Sequence, residues 1–299
     1  MYTHRLMGGL FLSFVLLSQA GAEPSCPSEQ PSLKNTVDQS WGAWSVLGSY
    51  LAYGASIGKQ KPFVDCPGFQ RIQTDDANPL RLYVHENEDT EAHGVLVIFH
   101  GNNHTACEEI SDDFRVYNTF RHIPFKAIVV PEYPGFSESF KVNKHNVPRE
   151  STIRPNLERV AAWLDSFHEE EAVTFVGHSF GTATAIYTAT QLRVEDRLER
   201  IILYAPFTSL PDVAREITKT STFSGLFKGH SYQSLAWSQF LPEVQVTVVH
   251  GTRDLVVPYS LGQTYAQCLG SRGELLTVEG GGHDNLIERS ADEVARRLR

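Results

Sequence analysis

Long runs of several kinds are missing from this chain. Its 299 residues contain no internal repeat, no low-complexity tract and no block of like charge long enough to form a tail, which excludes solenoid arrays and charged interaction arms. With 41% hydrophobic and 20% charged residues the composition is that of a folded globular protein, and the length suits one large α/β domain. Zinc-binding spacing is absent too, since neither His-Glu-x-x-His nor paired Cys-x-x-Cys occurs. His104, Cys107 and Glu108, three ligand-type side chains near a helix start, read as solvated or packed groups, and no metal or other cofactor is expected. Positive charge is outnumbered, 26 basic residues against 35 acidic, which argues against nucleic acid as a partner.

The first apolar run, Leu6 to Leu17, falls short of the roughly 20 residues that a membrane span needs. It follows Arg5 and leads to Ala20-Gly21-Ala22, so residues 1 to 22 read as a secretory signal peptide cleaved after Ala22, the alternative being an uncleaved N-terminal membrane anchor. Cleavage removes one of the 26 basic residues and none of the 35 acidic ones, leaving a net charge of −10. The expected location is secreted or periplasmic, where Cys26, Cys66, Cys107 and Cys268 can form disulfides. Four cysteines allow three pairings. Cys26 with Cys66 is the expected pair, because both precede the core.

From about residue 81 short apolar runs alternate with helical patterns. "RLYVHE", "GVLVIFH", "KAIVVPE", "AVTFVG", "RIILYAP", "VQVTVVHG" and "ELLTVEG" read as strands, and 150–168, 181–193, 258–269 and 284–298 as helices. Near-continuous apolar strands separated by helices imply a mostly parallel sheet covered on both faces, with ligands beyond the strands' carboxyl ends. Two regions break the alternation. Residues 23–80 form an N-terminal segment whose "WGAWSVLGSYLAYGASIG" is a helical candidate expected to pack on the core. Residues 207–243, inserted after a strand within the 81–299 domain, are expected to form a small helical lid.

"VGHSFG", residues 176 to 181, sits between a strand and a helix. Gly177 and Gly181 flank Ser179 at the spacing of a nucleophile elbow, in which a strained turn exposes the hydroxyl. A serine hydroxyl needs a general base, and the base needs an orienting acid. Asp254 follows the strand in "VQVTVVHGTRDLVVP", and His283 follows Gly280-Gly281-Gly282 after the last strand. The order Ser179, Asp254, His283 is the one an elbow requires. Asp284 cannot easily reach its neighbour's ring, and His250 reads as support for the Asp254 turn. The backbone N–H groups of Asn102, in "VLVIFHGNNHTA", and Phe180 are the expected oxyanion donors. A glycan on the Asn103-His104-Thr105 sequon would cover that pocket, so the sequon is discounted. His104, Tyr133 and Phe207 are expected to line the substrate site.

Taken in order, "FHGN", "EYPGFSES", "GHSFG", "YAPFTSL", "VVHGTRDLVVP" and "GGGHDNL" resemble the blocks of α/β-hydrolase superfamily serine hydrolases, in their compact esterase and acyl-protein-thioesterase-like branch. Prolyl-oligopeptidase catalytic domains share several. The resemblance covers about residues 80 to 299. It implies an α/β-hydrolase fold with an eight-stranded, mostly parallel sheet, no cofactor, and an acyl-enzyme on Ser179. "HGNNHTA" lacks the further glycines of the lipase-type oxyanion loop, which argues against a lipase. The expected activity is hydrolysis of carboxylic esters or thioesters, on a small-molecule or lipid-like acyl substrate, with weak membrane-surface contact open to the aromatic N-terminal segment. The alternatives are a serine peptidase or amidase acting on small peptides, and a binding protein on an inactive hydrolase scaffold.

Overall fold

The computed structural model describes residues 26, 63–76, 79–102, 104–111, 116–136, 148–221, 227 and 230–298. The expected signal peptide, the aromatic helical candidate at 41–58, Asn103 and the last three residues of "EYPGFSES" lie outside these residues. Eight strands form one sheet: β1 Gln70–Gln73, β2 Arg81–Glu86, β3 Val95–Phe99, β4 Ala127–Pro131, β5 Val173–His178, β6 Leu198–Tyr204, β7 Gln245–Gly251 and β8 Gly273–Val278. Their order is β1-β2-β4-β3-β5-β6-β7-β8. β1 pairs with β2 and β2 with β4 in antiparallel fashion, and every later pairing is parallel. Every residue of β3, β4 and β5 is buried, as central strands covered on both faces require. Strands β2 to β8 coincide with the seven apolar runs. β1, "QRIQ", is a largely exposed edge strand with no apolar pattern to announce it.

The helices are α1 Ala106–Ser111, α2 Val116–Phe120, α3 Glu150–Ser166, α4 Phe180–Ala189, α5 Leu210–Thr218, α6 Ser234–Trp237, α7 Tyr259–Leu269 and α8 Leu286–Arg297. α2 packs with α8 on one face of the sheet, and α3 packs with α4 on the other. All ten residues of α4 are buried. Its threonines can lie inside because they return hydrogen bonds to the backbone, Thr184 to Gly181 O (3.0 Å) and Thr188 to Thr184 O (2.8 Å). In the inserted segment the two halves differ. Tyr232, Leu235 and Trp237 are buried, with Tyr232 edge-on to Phe180 (4.9 Å) and Trp237 edge-on to Tyr187 (5.1 Å), whereas α5 buries no residue.

The disulfides correct one expectation. Cys26 bonds to Cys268 near the end of α7, and Cys66 bonds to Cys107 on α1, so Cys26 and Cys66 are not a pair. Proximity along the chain misleads here because the sheet order carries Cys66, just before β1, to the helix that follows β3.

Candidate active site

Strand β5 ends at His178 and α4 begins at Phe180, leaving Ser179 alone at the junction. Its backbone has φ 54° and ψ −117°, a conformation that costs a residue with a Cβ about 1–3 kcal/mol. Surrounding contacts hold it there. The Ser179 N–H donates to Tyr204 O on the neighbouring strand (2.8 Å), and Ser179 O accepts the Thr182 N–H (3.0 Å) and hydroxyl (2.6 Å). A Cβ on Gly177 would stand 2.5 Å from Gly181 O, and one on Gly181 would collide with Phe99 O. Only glycine lets the first turn of α4 lie this close to β5 and β3. Ser179 itself is half-buried.

Asp254 and His283 reach the same end of the sheet from the loops after β7 and β8. These loops lie against each other: Arg253 N–H donates to Gly281 O (2.9 Å), and a Cβ on Gly251 would collide with Gly281 O. His283 Nδ1 meets Asp254 Oδ2 at 2.7 Å, while Asp254 Oδ1 accepts the N–H groups of Val256 and Val257, each at 2.8 Å. Burial alone would raise the Asp254 carboxyl. The bond and charge of His283, with those two N–H groups, outweigh it and hold the carboxyl below the usual carboxylate range. His250 stands behind, its Nε2 3.6 Å from Asp254 Oδ2 and 2.9 Å from Val257 O. Burial pushes the His250 imidazole down, against the opposing pull of the Val257 carbonyl and Asp254.

His178 joins the two halves. Its ring lies 5.0 Å from that of His283, and its Nε2 is 3.3 Å from His283 O. Ser179 and His283 are thus neighbours through His178, although among the described residues no hydrogen bond links the Ser179 hydroxyl to the His283 ring. Such bonds are commonly long before substrate is bound. Asn102 follows Gly101, where an added Cβ would sit 3.8 Å from Ser179 Cβ and 3.4 Å from His178 Nδ1, so the loop after β3 runs beside the elbow. Phe180 is the first residue of α4.

Of the three residues expected to line the substrate site, His104 is half-buried in the loop after β3. The other two are buried. Tyr133 is fully buried, stacked on His100 (4.1 Å) with its hydroxyl paired to Thr184 Oγ1 (2.8 Å), and burial drives its phenol well above the ordinary value. Phe207, 2% exposed, belongs to the core cluster. Both are apolar-bodied aromatics beyond strand ends, a position that suits core packing as well as substrate contact. Two further residues are central to the geometry: His178, and Glu132, a buried carboxyl after β4. The available signal was a histidine or acid ending an otherwise apolar strand. Among the described residues, no group of three or more His, Cys, Asp and Glu side chains is arranged to hold a metal ion.

A family model described as serine hydrolase matches residues 136–289. No curated protein matches the chain. Solved structures similar to it include an alpha-beta serine hydrolase homologue from Coxiella burnetii, 17% identical, covering 79% of this chain and 100% of its own, with a TM-score of 0.52. An esterase of Pyrococcus furiosus is 14% identical over 80% of this chain and 93% of its own, TM-score 0.58. Est1E from Butyrivibrio proteoclasticus is 17% identical over 77% and 97%, TM-score 0.55. At these identities the likeness is one of fold.

Proposed function

Because this chain belongs to the serine hydrolase family, with the α/β-hydrolase fold, we propose that it is an exported enzyme that hydrolyses carboxylic esters or thioesters through Ser179, His283 and Asp254. The observation that carries the reading is the strained Ser179 at a strand-to-helix elbow, with the 2.7 Å Asp254–His283 pair packed against its neighbour His178. Ser179 Oγ attacks the acyl carbon as its proton passes to His283 Nε2, and Asp254 holds Nδ1 protonated so that Nε2 is free to accept it. The carbonyl oxygen, now an oxyanion, faces the N–H groups of Asn102 and Phe180. Collapse expels the alcohol or thiol, which takes the proton back from His283 and leaves the acyl group on Ser179. Water then repeats the sequence and releases the acid.

Apolar surface beside the site supports an apolar acyl group. Leu255 and Val256, directly after Asp254, are 89% and 52% exposed. Ile217 of α5 is 44% exposed, and Ser260 at the start of α7 donates to Glu216 beside it (3.3 Å). In this reading residues 207–243 form a small lid, with α5 as its exposed part. Short to medium acyl groups, roughly two to eight carbons, fit such a surface, each buried methylene adding about 0.8 kcal/mol, or about fourfold in kcat/KM, until the surface ends. The two disulfides point to an oxidising compartment, in keeping with cleavage after Ala22, and no described helix is long and apolar enough to cross a membrane.

Fluorophosphonate labelling, with p-nitrophenyl esters of graded length beside peptide anilides, tests the enzyme reading. The expected result is label on Ser179, none on Ser179→Ala, and ester turnover that peaks by about eight carbons. Unlabelled, inactive protein would favour the binding-protein alternative, and faster anilide cleavage the peptidase. Mass spectrometry of exported protein should find Glu23 at its start, and retention of Met1 would refute the cleavage.

A further inference from the structure

We propose that Glu132 is the positioning residue of the oxyanion hole, a single carboxyl group that holds the far end of the loop carrying Asn102 and stands against its near end. The inference rests on the reading of the Asn102 N–H as an oxyanion donor. Glu132 follows β4, and because β4 lies parallel beside β3 its side chain meets the loop that leaves β3. It is 1% exposed.

Its two oxygens do different things. Oε2 accepts the N–H of Ala106 (3.2 Å), the first residue of α1 and the far end of the loop. Oε1 accepts the Tyr133 N–H (3.1 Å) and stands 3.4 Å from Nε2 of His100, within ion-pair reach but outside hydrogen-bond geometry. His100 is the near end of the loop, fully buried under the Tyr133 ring, with Nδ1 2.9 Å from Gly101 O and its carbonyl 3.4 Å from the Tyr133 hydroxyl. Asn102 therefore lies between Ala106, which Oε2 holds, and His100, which Oε1 approaches at 3.4 Å. The Glu132 backbone is itself pinned, its N–H donating to Arg81 O (3.0 Å).

A simpler role, capping the first N–H of α1, would use only the Oε2 contact. The Oε1 side faces His100 at the near end and accepts the N–H of Tyr133, whose ring stacks on His100. The chemistry calls for a side chain that only accepts and has two oxygens, since N–H groups arrive from both Ala106 and Tyr133. A glutamine keeps the shape but turns an NH₂ toward one of them. A displacement of about 1 Å at a reacting centre costs on the order of 100-fold, and loss of a whole oxyanion donor about 100- to 1,000-fold.

The test compares Glu132→Gln with wild type in ester hydrolysis and in binding of a trifluoromethyl ketone, whose adduct on Ser179 places an oxyanion in the hole. The expected result is a kcat lower by about 10- to 100-fold, a KM within about twofold, and ketone affinity reduced in step with kcat/KM. Glu132→Asp, which keeps the charge but cannot reach both ends, carries the same expectation and the same test should the glutamine variant not fold. A kcat within about twofold of wild type, a loss confined to KM, or a kcat loss with ketone affinity unchanged would each overturn the proposal. Ser179→Ala in the same assays separates the two readings: if it stays active the triad is wrong, and if it is dead while Glu132→Gln is unimpaired only the role of Glu132 falls.

Discussion

Asp254 lies between two imidazoles but makes its short bond to only one. His283 Nδ1 is at 2.7 Å, while His250 Nε2 stays at 3.6 Å and is directed at Val257 O. Burial favours neutral His250, so the acid's charge is left for the exposed-side histidine. In Asp254→Asn an amide NH₂ would face His283 Nδ1, turn the ring to the other tautomer and leave Nε2 protonated. The expected loss in kcat is about 10⁴-fold. The same residue predicts a pH dependence of stability. Its folded-state value is depressed, so ionised Asp254 stabilises the fold above the unfolded value of about 3.9, and that contribution disappears as pH falls through the folded value. The melting-temperature gap between wild type and Asp254→Asn should therefore be widest near neutral pH and narrow below about pH 4. A gap unchanged from neutral to pH 3 would contradict the assignment.

At the scale of elements, the elbow depends on how closely α4 approaches β3. A methyl on Gly181 would drive into Phe99 O, backbone that cannot rotate away. Gly181→Ala should destabilise by at least the about 1–3 kcal/mol typical of overpacking, seen as a lower midpoint in thermal or urea unfolding, and an unchanged midpoint would show that strand and helix can part freely. This approach was legible in the sequence, as were seven strands, because buried parallel strands must be written in apolar residues and a tight turn in glycine. Edge strand β1 was not, since "QRIQ" is largely exposed, and α1 and α2, at six and five residues, are too short for a periodic signal. The Asp254–His283 pair was legible as well, each residue being polar after an apolar run. The contact of Glu132 with the loop after β3 was not, because it is the order β4-β3 that places this acid beside another strand's loop.

Across the whole molecule, the two disulfides act at opposite distances from the chemistry. Cys26–Cys268 joins residues 242 apart in sequence and sits near the end of α7, an 11-residue helix whose other end follows the Asp254 loop, about 15 Å away along its axis. Cys66–Cys107 joins residues 41 apart and holds α1, immediately after the loop of Asn102. Each constrains the unfolded chain, with a contribution in the usual range of about 2–4 kcal/mol. Only the second also steadies a part of the proposed oxyanion hole. Replacing Cys26 and Cys268 together by serine should lower the melting temperature while leaving kcat at 25 °C within about twofold, because the α7 end is remote from Ser179. Replacing Cys66 and Cys107 should lower both, with kcat falling and KM little changed, since the loop and not the acyl surface is loosened. Circular-dichroism melts run beside ester kinetics on the two double variants read this directly. If the first pair lost its turnover and the second kept it, the site's rigidity would depend on α7 and not on the loop after β3.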